Sequence, residues 1–279
     1  MKGTIGTNVK MKIISIILIL AFSVACRAYV LKEPVQVPKL VSTVSQSIVR
    51  IVVLIKQGEK TVPVVKGSGF IVGPDGLIAT AAHVIEGIPQ QALLVIPADV
   101  ETFNPSETKA SIITIDKEHD IALLQSSASR SKRALEIEPS INTVVGEDAL
   151  LFGFPLGDPV LTVTRGMIAA KTTKVLDGAT STTKLIKLDS SVNKGNSGGP
   201  LICISTGRVI GLASLKEGSI QNRLKKLLKE KQRGSMKIAG QNPIDLIKAV
   251  IQDMELNLQL GLGYAVASEH LISDIEKNN

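Results

Sequence analysis

Short runs of β-branched and aliphatic residues, broken at regular intervals by Gly, Pro and Asp, predict an all-β protein. Six such runs are followed by a polar, charged connector, and six more runs follow the connector. Regularly spaced short strands with turn signals are typical of barrels and sandwiches, and they are not the pattern of a doubly wound sheet. Six strands on each side of one connector therefore indicate two similar β-domains.

The first predicted β-domain occupies residues 45–125, and a connector follows at 126–143. Its strands are expected at 48–56, 67–73, 77–80, 92–97, 109–115 and 121–125. The segment Gly73-Pro74-Asp75-Gly76 separates two apolar runs, and each of its residue types favours a turn. This segment therefore predicts a hairpin between the second and third strands.

The second predicted β-domain occupies residues 144–279. Its strands are expected at 147–154, 161–172, 184–189, 199–204, 208–215 and 262–267. Between the last two strands, apolar residues recur at helical spacing over 219–233, and Pro243 opens another such segment. We therefore expect a helical insertion at 216–260. A short C-terminal helix should begin at Ser268, which is a favourable N-cap residue.

The first 25 residues have the pattern of an export signal. Three lysines and no acidic residue accompany an apolar run of 13 residues at 13–25, with Met11 as an alternative start. A membrane-spanning helix needs about 20 apolar residues, so this run is too short. We therefore expect an exported protein of the bacterial periplasm or cell envelope, with a linker at 26–44.

The apolar run ends at Cys26, in a sequence similar to a bacterial lipoprotein cleavage box. Ser23 stands where that box usually has Leu. Two outcomes stay open. Cys26 is either lipidated and anchors the protein to the membrane, or it is left as a surface thiol after ordinary cleavage behind Ala25.

The composition excludes several classes of protein. An apolar content of 44% argues against a disordered chain, and two cysteines are too few for a disulfide framework. Three histidines without a Cys/His cluster predict no metal site, and no organic cofactor is expected. Cys203, within an apolar strand, is expected to be an inert core residue.

The net charge of +7 lies mainly in two segments. The first 25 residues hold three lysines, and residues 216–240 hold eight basic and two acidic residues, so the remainder is close to neutral. The charge therefore does not predict a nucleic-acid-binding protein. It predicts a basic helix at 216–240 that suits an anionic membrane surface or an acidic partner.

Three segments together hold the parts of a nucleophilic site. They contain His83 at the end of a predicted strand, Asp120 at the start of another, and Ser197 among glycines. A serine hydroxyl becomes a strong nucleophile only when an imidazole takes its proton, and the imidazole needs a carboxylate to fix its tautomer. Flanking glycines allow the sharp turn that aims backbone N–H groups at a developing oxyanion.

In the order His, Asp, Ser, these segments resemble the trypsin-like serine peptidases, and within them the bacterial HtrA/Deg proteases. The resemblance covers about 40–215 and 261–275. It is carried by GSGFIV (67–72), TAAH (80–83), DIALL (120–124), FGFPLG (152–157), VTRGMI (163–168), GNSGG (195–199) and GLGYAV (261–266). It implies two chymotrypsin-like Greek-key barrels with the active site between them.

The resemblance also implies the roles of the residues. His83 would be the general base, Asp120 its orienting carboxylate and Ser197 the nucleophile, with the backbone N–H groups of Gly195 and Ser197 forming the oxyanion hole. His119 is a rival base, expected to point away from Asp120 and into solvent, and Asp116 is a rival carboxylate. The nucleophile elbow of α/β-hydrolases also matches Gly-x-Ser-x-Gly, but its triad order and its strand-to-helix turn do not fit.

Digestive trypsins carry an Asp immediately before the nucleophile, where this chain has Asn196, so their zymogen activation is not expected. Ser191 replaces the Asp that gives trypsin its preference for basic side chains. A small, uncharged pocket is therefore expected, lined by Ser191, Val192, Ser214 and Leu215. It would favour cleavage after small or medium apolar residues, with the substrate added as a strand along 213–215.

The chain also departs from the HtrA group. From its length we expect no PDZ domain of the kind that these proteases usually carry, and we expect residues 216–260 to replace a short loop. That insertion is either a solvated helical hairpin or a regulatory element. Trimers are common in the group, and Tyr29 is the only aromatic residue at 26–45 to support one.

The sequence therefore predicts an exported serine endopeptidase that acts on protein or peptide substrates, with a role in protein quality control. The alternative is a catalytically silent member of the fold that binds misfolded chains or a membrane partner.

Overall fold

The computed structural model describes residues 36–176, 178–214 and 263–278. The chain divides into two units, Met1–Gln36 and Val37–Asn279, and the elements below all belong to the second. The predictions for the export signal, Cys26, Tyr29, Leu215 and the insertion at 216–260 lie outside the described residues. None of the described helices is long and apolar enough to cross a membrane.

The first barrel follows helix α1 (Val37–Ser45). Its strands are β1 (Ile48–Gln57), β2 (Lys60–Gly73), β3 (Leu77–Ala81), β4 (Leu93–Pro97), β5 (Ser111–Asp116) and β6 (Ile121–Gln125), with the one-turn helix α2 (Ala82–Ile85) after β3. They form one antiparallel sheet in the order β4-β1-β2-β3-β6-β5. An isolated bridge between Leu94 and Lys109 brings the two edges of the sheet together.

The second barrel closes fully. Its strands are β7 (Asp148–Gly153), β8 (Thr162–Val175), β9 (Thr182–Leu188), β10 (Pro200–Cys203), β11 (Val209–Ala213) and β12 (Gly263–Ala267). The order around the barrel is β10-β11-β12-β9-β8-β7, and these neighbouring strands pair in antiparallel orientation. Helix α3 (Ser268–Asn278) follows β12 directly.

The prediction of an all-β fold with two six-stranded antiparallel sheets is confirmed. Burial of apolar strand residues explains its stability, because the main core contains side chains of both barrels. Phe70 from the first barrel and Phe152 and Phe154 from the second are fully buried in that core. The two barrels therefore pack against each other through a continuous apolar region, and the residues at their junction are held firmly.

Two local features differ from the expected boundaries. Strand β2 begins at Lys60 and not at 67, because Gly58 adopts a positive φ of 62° and turns the chain from β1 into β2. Part of the expected linker at 26–44 is helical, since α1 begins at Val37. Its residues Leu40, Val41 and Val44 pack on or within the core, so tertiary packing stabilises this short helix.

Candidate active site

His83 lies just beyond the end of β3, within α2, and is paired with Asp120. Its Nδ1 lies 2.7 Å from Asp120 Oδ2, and its backbone N–H donates to Asp120 Oδ1 at 3.0 Å. The Nδ1–H tautomer is the one that satisfies an ionised carboxylate, and it leaves Nε2 as a proton acceptor. The structure therefore holds His83 in the orientation that a general base requires.

Asp120 is fully buried and receives a further donor from the second barrel. The hydroxyl of Ser214 donates to Asp120 Oδ2 at 2.6 Å. The backbone carbonyl of Asp120 accepts from Ala82 N–H at 3.1 Å, and the residue has a positive φ of 58°. A buried carboxylate is costly unless several hydrogen bonds satisfy it, and here both barrels supply them.

The loop that carries Ser197 depends on glycines at two positions. Gly195 and Gly198 have φ values of 99° and 87°. A Cβ at Gly195 would overlap the carbonyl oxygen of Phe154, and one at Gly198 would overlap that of Ser68. Only glycine fits this sharp turn, because any side chain would meet backbone atoms.

Ser197 itself is 2% exposed, and its Oγ has no hydrogen-bond partner among the described residues. Catalytic hydrogen bonds are often long in unliganded enzymes and form when substrate binds. A buried hydroxyl without a partner is unusual in a folded protein, and a nucleophile awaiting its substrate is one physical reason for it.

The two backbone N–H groups expected to form the oxyanion hole belong to peptide planes that are fixed from behind. The carbonyl of Lys194 accepts from Leu156 N–H at 2.6 Å, and that of Asn196 accepts from Gly199 N–H at 2.9 Å. In a trans peptide the carbonyl and the following N–H point in opposite directions. The N–H groups of Gly195 and Ser197 are therefore turned away from these partners, and they donate to no described acceptor.

The rival pair, His119 and Asp116, forms a separate site. His119 Nδ1 lies 2.6 Å from Asp116 Oδ2, and its ring stacks on that of His270 at 3.9 Å between centroids. The structure therefore joins His83 to Asp120 and His119 to Asp116. The expectation that His119 points into solvent is wrong, because the side chain is 25% exposed and covered by His270 from α3.

The turn before Asp120 also connects the two barrels. The Glu118 carboxylate accepts hydrogen bonds from the backbone N–H groups of Ser181 and Thr180, each at 2.8 Å. These bonds lower the pKa of Glu118 to about 2, because they stabilise the charged carboxylate. The β5–β6 turn is thereby held to the β8–β9 hairpin.

The expected pocket residues lie in different environments. Ser191 is partly exposed, while Val192 is 6% exposed and belongs to the core of the second barrel beside Gly263. Ser214 directs its hydroxyl to Asp120, a role that the sequence analysis did not assign. Cys203 is buried in the same core. The pocket assignment stays a prediction.

Sequence reasoning also missed Ser68, which is fully buried in β2 and contacts the nucleophile loop. Its only sequence signal is that it is a small polar residue between two glycines, Gly67 and Gly69. Among the described residues, no group of three or more His, Cys, Asp or Glu side chains could hold a metal ion.

Comparison with known proteins gives a consistent result. The family model described as "Trypsin-like peptidase domain" matches residues 67–212, which is more than half of the chain. The magnetosome formation protease MamE of Paramagnetospirillum magneticum is 36% identical over 147 residues, covering 52% of this chain and 19% of the relative. Serine protease HTRA1 of Xenopus tropicalis is 37% identical over 160 residues, covering 57% and 33%.

A probable periplasmic serine endoprotease, DegP-like, of Rickettsia conorii is 32% identical over 159 residues, covering 57% of this chain and 29% of the relative. The chain thus spans no more than about a third of these relatives. The solved structure of the HtrA-type protease AlgW with a decapeptide superimposes with a TM-score of 0.60 at 21% identity, covering 86% of this chain and 66% of the other. That likeness shows the shared fold.

Three observations point to the same family: the two six-stranded barrels, the family match that runs from β2 to β11, and the relatives named above. The chain belongs to the family of trypsin-like peptidase domains, and HtrA-type serine proteases are among its relatives.

Proposed function

We propose that this protein is an exported serine endopeptidase that hydrolyses peptide bonds of proteins. The observation that carries the proposal is the pairing of His83 with the buried Asp120, which also accepts from the hydroxyl of Ser214. The loop that carries Ser197 is bonded next to Ser214, because the N–H of Gly198 donates to the carbonyl of Ala213 at 2.8 Å. Relatives named as serine proteases support the same activity.

In the proposed reaction, Ser197 Oγ attacks the carbonyl carbon of the scissile peptide while His83 Nε2 takes the hydroxyl proton. The carbonyl oxygen becomes an oxyanion and accepts from the N–H groups of Gly195 and Ser197. His83 then gives its proton to the leaving amine, which departs and leaves an acyl-enzyme. A water molecule then attacks the acyl carbon while His83 takes its proton. The bond to Ser197 Oγ breaks, His83 returns the proton to that oxygen, and the carboxylic acid product is released.

A fluorophosphonate probe tests the activity directly, because it reacts only with an activated serine. We expect wild-type protein to be labelled and a Ser197→Ala variant not to be. Equal labelling of both would place the reactive group elsewhere. Absence of labelling in the folded wild type would refute the proposed activity.

The substrate preference is proposed from the residues near the nucleophile. Ser191 is uncharged where trypsin has an acid, which supports cleavage after small or medium apolar residues such as Ala or Val. Peptides that differ only at the residue before the cleaved bond would test this. A kcat/KM for an Arg peptide above that for a Val peptide would refute it.

A location in the cell envelope and a role in protein quality control are also proposed. The basic and apolar start of the chain supports export, and one relative is named as periplasmic. Fractionation of cells should place the protein outside the cytoplasm. Labelling with a radioactive fatty acid, compared with a Cys26→Ser variant, would test the proposed membrane anchor.

The second candidate function is a silent binding module, and one observation favours it. Ser197 Oγ is buried without a hydrogen bond to His83 among the described residues. Such a module would bind unfolded protein without cleaving it. Binding of a denatured substrate by wild type, with no labelling and no cleavage, would favour this candidate.

A further inference from the structure

Ser68 of the first barrel is hydrogen-bonded to the loop that carries Ser197 in the second barrel. It lies on β2, and its side chain is fully buried. Its hydroxyl donates to the carbonyl of Gly195 at 2.7 Å and accepts from the N–H of Phe154 at 3.0 Å. Its backbone N–H donates to the carbonyl of Ser197 at 2.9 Å. A single residue therefore contacts the loop on both sides of Asn196.

Ser68 holds the peptide plane that lies between the two planes carrying the expected oxyanion-hole N–H groups. The oxyanion-hole N–H groups belong to the peptide planes 194–195 and 196–197, and each plane is fixed through its own carbonyl. The plane between them, 195–196, is the one whose carbonyl Ser68 holds. Because a peptide unit is rigid, the angle between the two N–H donors depends on this central plane.

The surroundings of Ser68 support a dedicated arrangement. The Thr80 hydroxyl donates to the carbonyl of Ser68 at 2.7 Å, so the backbone of Ser68 is itself held in place. A Cβ at Gly153 would lie 2.9 Å from Ser68 Oγ, so a glycine at that position leaves room for the hydroxyl. The hydroxyl, the backbone N–H and the carbonyl of Ser68 are therefore all hydrogen-bonded.

We propose that Ser68 is a positioning residue for the oxyanion hole, and that its hydroxyl sets the orientation of the Gly195 and Ser197 N–H donors across the barrel junction. The inference rests on the proposed peptidase function. Loss of the hydroxyl would leave the Gly195 carbonyl without its partner in a buried site. The central peptide would then be held only through the N–H of Asn196, which donates to the carbonyl of Asn193 at 2.9 Å. A tilt of this peptide about that bond would stop the two donors from converging on one oxyanion.

The test compares Ser68→Ala with Ser268→Ala. Ser268 is a matched control because it is also fully buried and its hydroxyl donates to a backbone carbonyl, that of Glu138, at 2.6 Å, without contacting the nucleophile loop. Removal of an oxyanion-hole donor costs about 10²–10³-fold in kcat, so misaligned donors should cost about 10–100-fold. We expect this loss of kcat for Ser68→Ala with KM within about twofold of wild type.

A second readout separates positioning from general stability. A peptide aldehyde forms a tetrahedral adduct whose oxygen occupies the oxyanion hole, so its affinity should fall for Ser68→Ala by about the same factor as kcat. The affinity of a product peptide should not change. For Ser268→Ala we expect a lower Tm with kcat and aldehyde affinity retained.

Ser68→Cys keeps a hydrogen-bond donor, although a weaker one on a larger atom, and it tests the same point if Ser68→Ala does not fold. A kcat for Ser68→Ala equal to that of wild type, or an equal loss in Ser268→Ala, would overturn the inference. Unfolding of both Ser68 variants would assign the residue to stability and also overturn it. A folded wild type that neither cleaves peptides nor reacts with fluorophosphonate would instead refute the proposed function, and this inference with it.

Discussion

Protonation of His270 should destabilise the folded protein in mild acid. Its Nε2 accepts a hydrogen bond from the backbone N–H of Lys184 at 3.0 Å, so this nitrogen must be without a proton. Its ring is stacked on His119. Burial, with added repulsion from His119, lowers the pKa of His270 to about 4 from its ordinary value of 6.5, although Glu269 and Asp116 act in the opposite direction.

The sign and size of the effect follow from linkage. Between pH 6.5 and about 4 the histidine is protonated in the unfolded chain and neutral in the folded one, so the free energy of unfolding decreases as the pH falls through this range. A pKa lowered to this extent corresponds to about 3 kcal/mol when fully expressed. Because the ring is partly exposed and solvent screens the charge, we expect about 1–2 kcal/mol.

Urea unfolding at about pH 7 and about pH 4.5 measures this contribution as the difference between wild type and a variant. In His270→Gln, an amide oxygen can accept from Lys184 without titrating. His270→Phe keeps a stacked ring but has no acceptor. Both variants should lose less stability than wild type on acidification, and only His270→Phe should also be less stable at about pH 7. An equal acid-induced loss in all three proteins would refute the reasoning.

Other changes have equally definite outcomes. Asp120→Asn should lower kcat on the order of 10³–10⁴-fold, because an amide cannot fix the tautomer of the paired imidazole, and steady-state kinetics measures this. Gly198→Ala should cost more than about 3 kcal/mol in urea unfolding, since its Cβ would overlap a backbone carbonyl. Gly58→Ala, with no atom within 4 Å, should cost about 1 kcal/mol. Glu118→Gln should reduce the fall in Tm from pH 4.5 to about pH 2, because hydrogen bonds led by that from Ser181 N–H stabilise the charged carboxylate of the folded state, whose pKa is about 2.

Each of these predictions has a result that contradicts it. A kcat for Asp120→Asn within tenfold of wild type would argue that Asp120 does not orient the base. Equal stabilities of the Gly198→Ala and Gly58→Ala proteins would show that the nucleophile loop has more space than the structure gives it. If Tm falls between pH 4.5 and about pH 2 by the same amount in Glu118→Gln as in wild type, this carboxylate does not stabilise the folded state.

The strand pattern of this protein is readable from sequence because it depends on neighbouring residues. Alternating or continuous apolar residues and the turn residues between them predict most of the twelve strands to within a few positions. Expected and observed bounds differ at β2 and α1, where a glycine turn and packing against the core decide the outcome.

Some residues of the candidate site can be predicted from local motifs, whereas others are identified only by contacts between distant parts of the chain. His83, Asp120 and Ser197 stand out because each lies in a short local motif. The hydroxyl of Ser214 on Asp120 and that of Ser68 on Gly195 join residues that are 94 and 127 positions apart. No local pattern encodes such a contact. Likewise, the pairing of His119 with Asp116 is local, but its cover by His270 comes from the other end of the chain.

The sequence by itself determined the class of fold, the twelve strands of the described residues and the three side chains that we propose for acyl transfer. Only the tertiary structure decided which histidine meets which carboxylate, and which residues hold the backbone donors. The physical reason is that strands and turns arise from interactions within a few residues. The geometry of the site arises instead from contacts between distant parts of the chain. His83 meets Asp120 when the first barrel forms, and the bonds of Ser68 to Gly195 and of Ser214 to Asp120 form only when the two barrels dock.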